Sequence, residues 1–484
     1  MKHNYRKRLT GIILCLILVF SNIIPVFAVS TVPTEDMAAQ AEARKFMTVE
    51  SNEISGWPEG PMLGAESAIL MDVDTGIVLY EKNVHEHLYP ASTTKLMTAL
   101  LAIENSTMDE IVTFSHDAVF NIERDSSHIG IDVGEQLTME QCLYGLLLGS
   151  ANEVAYALAE HIGGDLDSFV NMMNERAAEI GCADTHFANA NGLPQPDHYT
   201  SAYDLALIAG ECYKNETLAQ ISGTTHYTIP ATNLQPETRP LDNHHLMLPG
   251  FKYAYEGIIG GKTGYTNDAR QTLVSCAQKD SMRLVCVIMK EESPNQFLDT
   301  AELFDYGFQN FQKLNISENE TNYTLNSSTF FNTNLDIIGS SKPILTINPL
   351  GDVIIPKTAA FTDADVEISY SDDSTSSIAT LTYTFGGNYV GSASIDYADA
   401  GSKSFEFANI ITEASIVTPE TVDPGHKIIF VNIKNVIIII LSIIGILFLL
   451  LIIRTLILKF LHSKKRRRRL KKKRYRRRNE NMYL

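Results

Sequence analysis

The chain has 484 residues, enough for two or three domains, and 45% of them are hydrophobic. Its formal net charge of -18 is unevenly distributed, because residues 9–453 carry 20 Lys and Arg against 56 Asp and Glu. Such an acidic surface argues against nucleic acid or anionic wall polymers as partners of this part of the chain.

The N-terminal 28 residues have the pattern of a secretory signal peptide. Four basic residues precede an apolar run over 12–20, and Val26-Phe27-Ala28 offers small residues for cleavage. We therefore predict a signal at 1–28, with an uncleaved membrane anchor as the alternative. Residues 29–64 are mostly polar and lack a sustained period, so we predict a leader before the fold.

The first predicted element of the fold is a hairpin, with strands at 68–71 and 77–80. Soon after it, Ser92 and Lys95 lie three places apart at the predicted start of a helix, where residues at this spacing share a face. A serine becomes a nucleophile when a base takes its proton, and a buried lysine can be that base. No other serine in the chain has a lysine at this spacing, although a helix-capping serine is the alternative.

A polar triplet is predicted to interrupt the helical middle of the chain. Thr138 to Gln141 matches a capping box that opens an apolar helix through Leu148, and Ser150-Ala151-Asn152 then falls before a second helix at 153–161. A polar triplet between two apolar helices is well placed to line a cleft. Further helices are predicted at 169–180 and 205–213.

Strands return after Lys262-Thr263-Gly264, at 272–277 and 283–289, and a last helix is predicted at 297–308. Strands at both ends with helices between them indicate one sheet completed by distant parts of the chain. The fold class predicted for this region is therefore α+β.

Three motifs stand in an order typical of penicillin-recognising serine acyl-transferases: Ser-x-x-Lys at Ser92, Ser-x-Asn at Ser150 and Lys-Thr-Gly at Lys262. With the stretches at 187–193 and 262–266, they resemble the low-molecular-mass penicillin-binding proteins that act as D-alanyl-D-alanine carboxypeptidases. The resemblance runs from about Ala65 to about Phe311. It implies a β-lactamase/transpeptidase-like catalytic domain at 65–312, with an antiparallel sheet and a helical subdomain.

The resemblance also implies a role for each motif residue. Ser92 would attack the carbonyl between two terminal D-alanines, Lys95 would take its proton, and Ser150 would relay a proton to the leaving amine. Backbone N–H groups of Ser92 and Tyr265 would meet the oxyanion, and such donors contribute roughly 3 to 4 kcal/mol each in other enzymes. The implied substrate-binding residues are Asn152, Lys262, Thr263, Gly264 and Tyr265.

Two positions depart from the family pattern. Arg270 stands where many members have glycine, and Gln296 aligns with an arginine that helps to bind the substrate carboxylate. Loss of that charge-assisted contact would weaken substrate binding by roughly 1.5 to 3 kcal/mol. Arg270 could replace the contact, or it could be a surface arginine beside a strand.

No metal or other cofactor is predicted. His85 with His87, and His244 with His245, lack a matching acidic or cysteine cluster. Outside the N-terminal apolar run there are five cysteines, an odd number without close spacing, which argues against a disulfide framework. We expect most of them to be buried as small apolar residues.

From 317 to 422 the composition shifts to Thr, Ser and Asn with short alternating runs, which indicates a small, β-sandwich-like all-β domain. A transmembrane helix is predicted at 436–458, because residues 436–453 carry no charge. The tail at 464–484 opens with 15 residues of which 13 are Lys or Arg. Basic residues stay on the cytoplasmic side, so a single-pass protein of the bacterial cell membrane with its catalytic domain outside is expected.

The basic tail would bind anionic lipid headgroups, or it is a plain stop-transfer signal. Three function classes remain open for the body: a carboxypeptidase acting on the peptidoglycan stem peptide, a β-lactamase or esterase, and a weakly active wall-binding protein. The second is disfavoured because the Glu-x-x-Leu-Asn motif of class A enzymes is absent. β-Lactam antibiotics are the expected inhibitors.

Overall fold

The computed structural model describes residues 35–123, 125–321, 345–370 and 377–397. The strands of this part of the chain are β1 (Ser67–Asp72), β2 (Val78–Lys82), β3 (Ile111–Thr113), β4 (Gln136–Thr138), β5 (His226–Ile229), β6 (Arg239–Asp242), β7 (Ile258–Thr266), β8 (Arg270–Lys279), β9 (Met282–Glu291), β10 (Phe311–Asn315), β11 (Leu345–Ile347), β12 (Asp352–Pro356), β13 (Asp365–Tyr370), β14 (Ser377–Phe385) and β15 (Asn388–Tyr397). The α-helices are α1 (Glu35–Arg44), α2 (Lys95–Asn105), α3 (His116–Phe120), α4 (Met139–Leu147), α5 (Asn152–Gly163), α6 (Leu166–Ile180), α7 (Ala202–Lys214), α8 (Glu216–Ser222), α9 (Asn295–Asn310) and α10 (Ile316–Asn319).

A five-stranded antiparallel sheet, in the order β2-β1-β9-β8-β7, joins the two ends of the catalytic region. Strand β1 pairs with β9, with Ile69 opposite Val287, so the predicted sheet built from distant segments is confirmed. Every residue of β1 is buried, because both faces of the sheet are covered. Ile69 and Met71 face one hydrophobic core, whereas Ala68 and Leu70 face the other, as the two-residue period of a strand requires.

The helical subdomain covers the first face, with α2 packed among α4, α5, α7 and α8. The start and stop signals read from the sequence are confirmed. Thr138 and Gln141 form the reciprocal capping box of α4, and the Ser201 side chain accepts a bond from the Asp204 N–H at the start of α7. Gly181 closes α6 in a left-handed conformation, with φ of 100°.

The second face is covered by α9 and by a further sheet, in the order β10-β12-β15-β14-β13, with β11 paired to β15. This all-β part begins at Phe311, within the range predicted for the catalytic domain. In the described residues it is one antiparallel sheet, whose buried residues Val353 and Leu381 share a hydrophobic core with Leu70 and Phe304. The rest of the predicted range, 398–422, lies outside the described residues.

The segment expected to be a leader is folded where the structure describes it. Helix α1 and a 3₁₀ turn at Glu50–Glu53 precede Trp57, whose ring lies 4.9 Å from that of Phe311, centroid to centroid. The Trp57 indole N–H donates to the Leu79 carbonyl at 2.9 Å, and Lys82 donates to the carbonyls of Arg44 and Leu63. Single anchors rather than an apolar stripe hold the segment, which explains why its sequence lacks a period.

The structure does not describe the segments for which a signal, a membrane span and a basic tail are predicted. The signal at 1–28, the span at 436–458 and the tail at 464–484 lie outside the described residues. Among the helices that the structure does describe, none combines the length and the apolar character that a membrane crossing requires. The five cysteines among the described residues form no disulfide, and all except Cys182 are buried.

Replacing Trp57 with alanine should destabilise the protein by about 3 to 5 kcal/mol, because a large aromatic side chain is lost between the catalytic sheet and the second sheet. The thermal unfolding midpoint should fall. Phe46→Ala is the matched control, since Phe46 is 77% exposed, and it should leave the midpoint nearly unchanged. Equal midpoints for the two variants would contradict this role of Trp57.

Candidate active site

Ser92 lies in the 3₁₀ turn Ala91–Thr94, which leads directly into α2 at Lys95. Lys95 is fully buried, and its ammonium nitrogen donates three hydrogen bonds: to Ser92 Oγ at 2.9 Å, to Asn152 Oδ1 at 2.7 Å and to the carbonyl of Asn191 at 2.6 Å. The predicted Ser92–Lys95 pair is thus assembled.

These contacts determine what Lys95 does when it loses a proton. A neutral amine has two N–H groups and one lone pair, and the oxygens of Asn152 and Asn191 can take both N–H groups. The lone pair then faces Ser92 Oγ. Burial lowers the pKa of Lys95 well below its usual value, Lys262 lowers it further, and Glu153 partly opposes both effects. A lowered pKa enlarges the neutral fraction at a given pH, so Lys95 is suited to act as a base.

Ser150 and Asn152 lie where α4 gives way to α5. Ser150 has a left-handed backbone conformation, with φ of 55°, and its side chain is buried. Asn152 is the first residue of α5, and its N–H donates to the carbonyl of Ser127. Buried Glu153 accepts a bond from the Ile129 N–H at 2.6 Å, and burial raises its pKa. No sequence motif marks Glu153, which holds the loop at 127–130 against the site.

Lys262, Thr263, Gly264 and Tyr265 lie on β7, the edge strand of the main sheet. Lys262 is buried and donates to Ser150 Oγ at 3.0 Å and to the carbonyl of Thr263 at 2.8 Å. Burial lowers its pKa to about 7. Two lysine–serine pairs therefore face one another, Lys95 with Ser92 and Lys262 with Ser150.

Gly264 lets β7 approach the turn that carries Ser92. A Cβ atom at this position would lie 2.2 Å from Thr272 Oγ1 and 3.0 Å from both Ala91 Cβ and the Ser92 nitrogen. Thr272 Oγ1 donates to the carbonyl of Pro90 at 3.0 Å, which ties β8 to the same turn. The close approach explains why glycine occupies this position of the motif.

The stretch at 187–193 completes the site from the far side of α2. The Asn189 side chain accepts the N–H of Gly192 at 2.7 Å, and Thr98 donates to the carbonyl of Ala190. Gly192 has φ of +90°, and a Cβ there would lie 1.8 Å from the Ala91 carbonyl oxygen. The sequence marked this stretch as part of the resemblance but gave no role to Asn191, because a backbone carbonyl leaves no mark on residue type.

The two departures from the family pattern lie within the fold. Arg270 forms a buried ion pair with Glu292, at 2.9 and 2.6 Å, and donates to the Tyr265 hydroxyl at 3.2 Å. It is neither a free surface arginine nor an unpaired carboxylate receptor. Gln296 is buried on α9 and donates to Gln271 Oε1 at 3.2 Å. An arginine at 296 would therefore have to displace a buried contact before it could reach a substrate.

The histidines that could suggest a metal site have other partners. His245 is buried behind Gly261 and shares a hydrogen bond with Ser275 Oγ at 2.7 Å, and burial lowers its pKa to about 4. His85 and His87 both contact the carboxylate of Asp184. Among the residues that the structure describes, no group of three His, Cys, Asp or Glu side chains could hold a metal ion.

Sequence comparisons point to one family. The profile of the D-alanyl-D-alanine carboxypeptidase family matches residues 56–293. A D-alanyl-D-alanine carboxypeptidase of Mycobacterium tuberculosis, DacB2, is 35% identical over 257 residues, which are 52% of this chain and 84% of that protein. DacF of Bacillus subtilis is 34% identical over 255 residues, 51% of this chain, and the match spans 63% of that protein's length.

Solved structures extend the similarity of fold. Penicillin-binding protein 5 of Haemophilus influenzae is similar with a TM-score of 0.56 at 24% identity, over 70% of this chain and 98% of that one. Penicillin-binding protein 6B of Escherichia coli has a TM-score of 0.53 at 24% identity, over 71% of this chain and 98% of that one. The shared fold therefore covers more of the chain than the sequence matches do.

Replacing Gly264 with alanine should lower the rate of penicillin acylation at least tenfold, because the new methyl group would push β7 away from Ser92. The loss should appear in a stopped-time assay with a fluorescent penicillin. Gly210→Ala is the matched control: no atom lies within 4 Å of a Cβ there, and alanine favours the helix by roughly 1 kcal/mol. Equal acylation rates in the two variants would refute the close-approach argument.

Proposed function

The chain belongs to the D-alanyl-D-alanine carboxypeptidase family, and on that premise we propose that it removes the terminal D-alanine from peptidoglycan stem pentapeptides. The observation that carries the proposal is the buried Lys95 nitrogen 2.9 Å from Ser92 Oγ, with both of its remaining N–H groups directed at other oxygens. A serine held in this way is an activated nucleophile.

Acylation begins when Ser92 Oγ attacks the carbonyl carbon of the penultimate D-alanine and its proton passes to Lys95. The bond to the terminal D-alanine nitrogen then breaks, and that nitrogen needs a proton. Ser150 supplies it, since its hydroxyl lies 3.0 Å from the Lys262 ammonium, which can replace the proton. The two lysine–serine pairs thus divide the work of one acyl transfer.

The remaining groups hold the substrate. The oxyanion is met by the backbone N–H groups of Ser92 and Tyr265, which Gly264 allows to converge. Lys262 and Thr263 hold the terminal carboxylate. The acyl-enzyme is released when water attacks the ester carbonyl and gives its proton, through Ser150, to the Lys262 amine. The ester bond to Ser92 Oγ then breaks, and that oxygen takes back the proton held by Lys95. β-Lactams enter the same sequence of steps and stop at the acyl-enzyme.

The purified protein should release D-alanine from a pentapeptide ending in D-alanyl-D-alanine, and mass spectrometry should show a penicillin adduct on Ser92. Ser92→Ala should abolish both. Lys95→Arg should lower acylation at least a thousandfold, because arginine keeps the charge but does not give up its proton near neutral pH.

An adduct on another serine would refute the assignment of Ser92 as the nucleophile. Near-normal acylation of Lys95→Arg would refute the role of Lys95 as the base. Hydrolysis of penicillin without release of D-alanine would favour the β-lactamase alternative. Penicillin binding without turnover of either substrate would favour a wall-binding protein.

We further propose that this protein is anchored in the bacterial cell membrane by one C-terminal span at 436–458, with the catalytic body outside. Support comes from the sequence: a signal-like N-terminus, 18 uncharged residues at 436–453 and 13 basic residues beyond them. Protease added to intact cells should remove the body and spare a tail epitope, and truncation before Lys434 should release active enzyme into the medium. Recovery of the tail epitope outside the cell would contradict this orientation.

A further inference from the structure

A cavity of about 570 Å³, open to solvent, is lined in part by Gly149, the residue before Ser150. Its walls come from the loop at 127–130, from Gly149 next to Ser150, and from the chain at 239–244. His244 lies on this wall, where partial desolvation lowers its pKa and the nearby Lys262 ammonium lowers it further. The cavity therefore lies next to Ser150 in the chain, through Gly149, although neither lysine–serine pair is part of its lining.

This location assigns the cavity to one half of the substrate, an argument that rests on the proposed function. Ser150 donates its proton to the nitrogen of the residue that leaves, so the leaving residue lies on the Ser150 side of the scissile bond. The acyl half remains attached to Ser92. A cavity next to Ser150 is therefore available to the leaving C-terminal residue.

The cavity is larger than D-alanine needs. An alanine residue occupies about 90 Å³, roughly the space of three waters at ~30 Å³ each, which is about a sixth of the volume. A methyl side chain would thus leave most of the cavity to solvent. Volume alone allows a much longer side chain on the leaving residue.

The walls are held in place from within. Buried Glu135 accepts the Arg239 guanidinium at 3.2 Å, and Arg239 also donates to the Gly130 carbonyl at 3.0 Å. On the opposite wall, Glu153 fixes the N–H of Ile129. These contacts hold the two walls in place without a substrate, although most of the lining residues are exposed and the cavity is open to solvent.

The polar groups that line the cavity determine which class of side chain on the leaving residue it would bind. Hydroxyl and imidazole groups of Ser127, His128 and His244 can donate hydrogen bonds to a side chain in the cavity. The Asp242 carboxylate at the rim is paired with His226 at 2.7 Å. Hydrogen-bond donors favour a carboxylate or a carboxamide, which can accept, and disfavour an ammonium group, which can only donate.

We propose that this cavity is a leaving-residue pocket that lets the enzyme release C-terminal D-residues with long carboxylate or carboxamide side chains, in addition to D-alanine. The bond broken is the same amide bond, its nitrogen takes the same proton from Ser150, and water completes the hydrolysis.

The test compares peptides that end in D-alanyl-D-alanine, D-alanyl-D-glutamine, D-alanyl-D-glutamate and D-alanyl-D-lysine, with release of the last residue measured by chromatography. For the unaltered enzyme, kcat/KM for the glutamine and glutamate peptides should lie within about threefold of the D-alanine value. The lysine peptide, with a side chain of similar length and opposite charge, should be at least tenfold slower.

Two variants fill the cavity from opposite walls, Pro240→Trp and Ser127→Trp. Each should lower kcat/KM for the glutamine and glutamate peptides at least tenfold and for the D-alanine peptide less than threefold. Pro236→Trp is the matched control, because Pro236 is an exposed proline of the same hairpin outside the cavity lining, and it should leave all four values unchanged. Stoichiometric labelling by fluorescent penicillin shows that each variant is folded.

Release of D-alanine without release of D-glutamine or D-glutamate would overturn the pocket and leave the proposed function intact. Equal losses for all peptides in both filling variants would do the same. Equal rates for the lysine and glutamine peptides would overturn the assigned side-chain class. Failure to release even D-alanine would instead refute the proposed function, and the pocket assignment with it.

Discussion

Two active-site lysines buried without a carboxylate partner set the main constraint on this structure. Lys95 and Lys262 are fully or almost fully buried, and neither takes part in an ion pair of the described residues. A buried charge costs several kcal/mol unless it is paired or neutralised, so both groups are pushed toward the neutral amine. Carbonyl and hydroxyl oxygens receive their N–H groups. The site therefore holds two amines that can exchange protons, each directed at a serine hydroxyl.

Holding those oxygens in place requires unusual backbone. Ala91 and Ser150 both have positive φ, near 50°, a conformation that costs of order 1 to 3 kcal/mol for residues with a side chain. Each lies where a separate element meets the site: Ala91 beneath β7, and Ser150 between α4 and α5. The buried sheet, with a hydrophobic core on each face, supplies the stability that offsets this strain. Backbone strain thus places the serines where the lysines need them.

The sequence predicted what residue type and period encode. Helix starts at Thr138 and Ser201, and the hairpin before Ser92, follow from capping and turn chemistry and are confirmed. The order of the three motifs predicted which residues meet. The sequence did not predict the folded segment before Trp57, because isolated long-range contacts hold that segment. Nor did it reveal the carbonyl of Asn191, since a backbone acceptor is independent of side-chain identity. Contacts that arise only because residues are close in the folded protein leave no pattern in the sequence.

The electrostatics of the cleft follow from which cations are neutralised. Arg270 approaches Tyr265 but is paired with Glu292, and Arg239 approaches the loop at 127–130 but is paired with buried Glu135. Their positive charges are balanced locally, so each acts as a fixed brace with little attraction for an anion. Lys262 has no carboxylate partner of this kind. Among the described motif residues, it is the lysine next to Ser150, on the side of the leaving group. A carboxylate entering the cleft would restore the charged form of Lys262, because an adjacent anion raises the pKa of an ammonium group. Binding of the substrate carboxylate would thus favour the protonated form of Lys262. This is the form that can pass a proton to Ser150, so substrate binding and the supply of that proton are coupled.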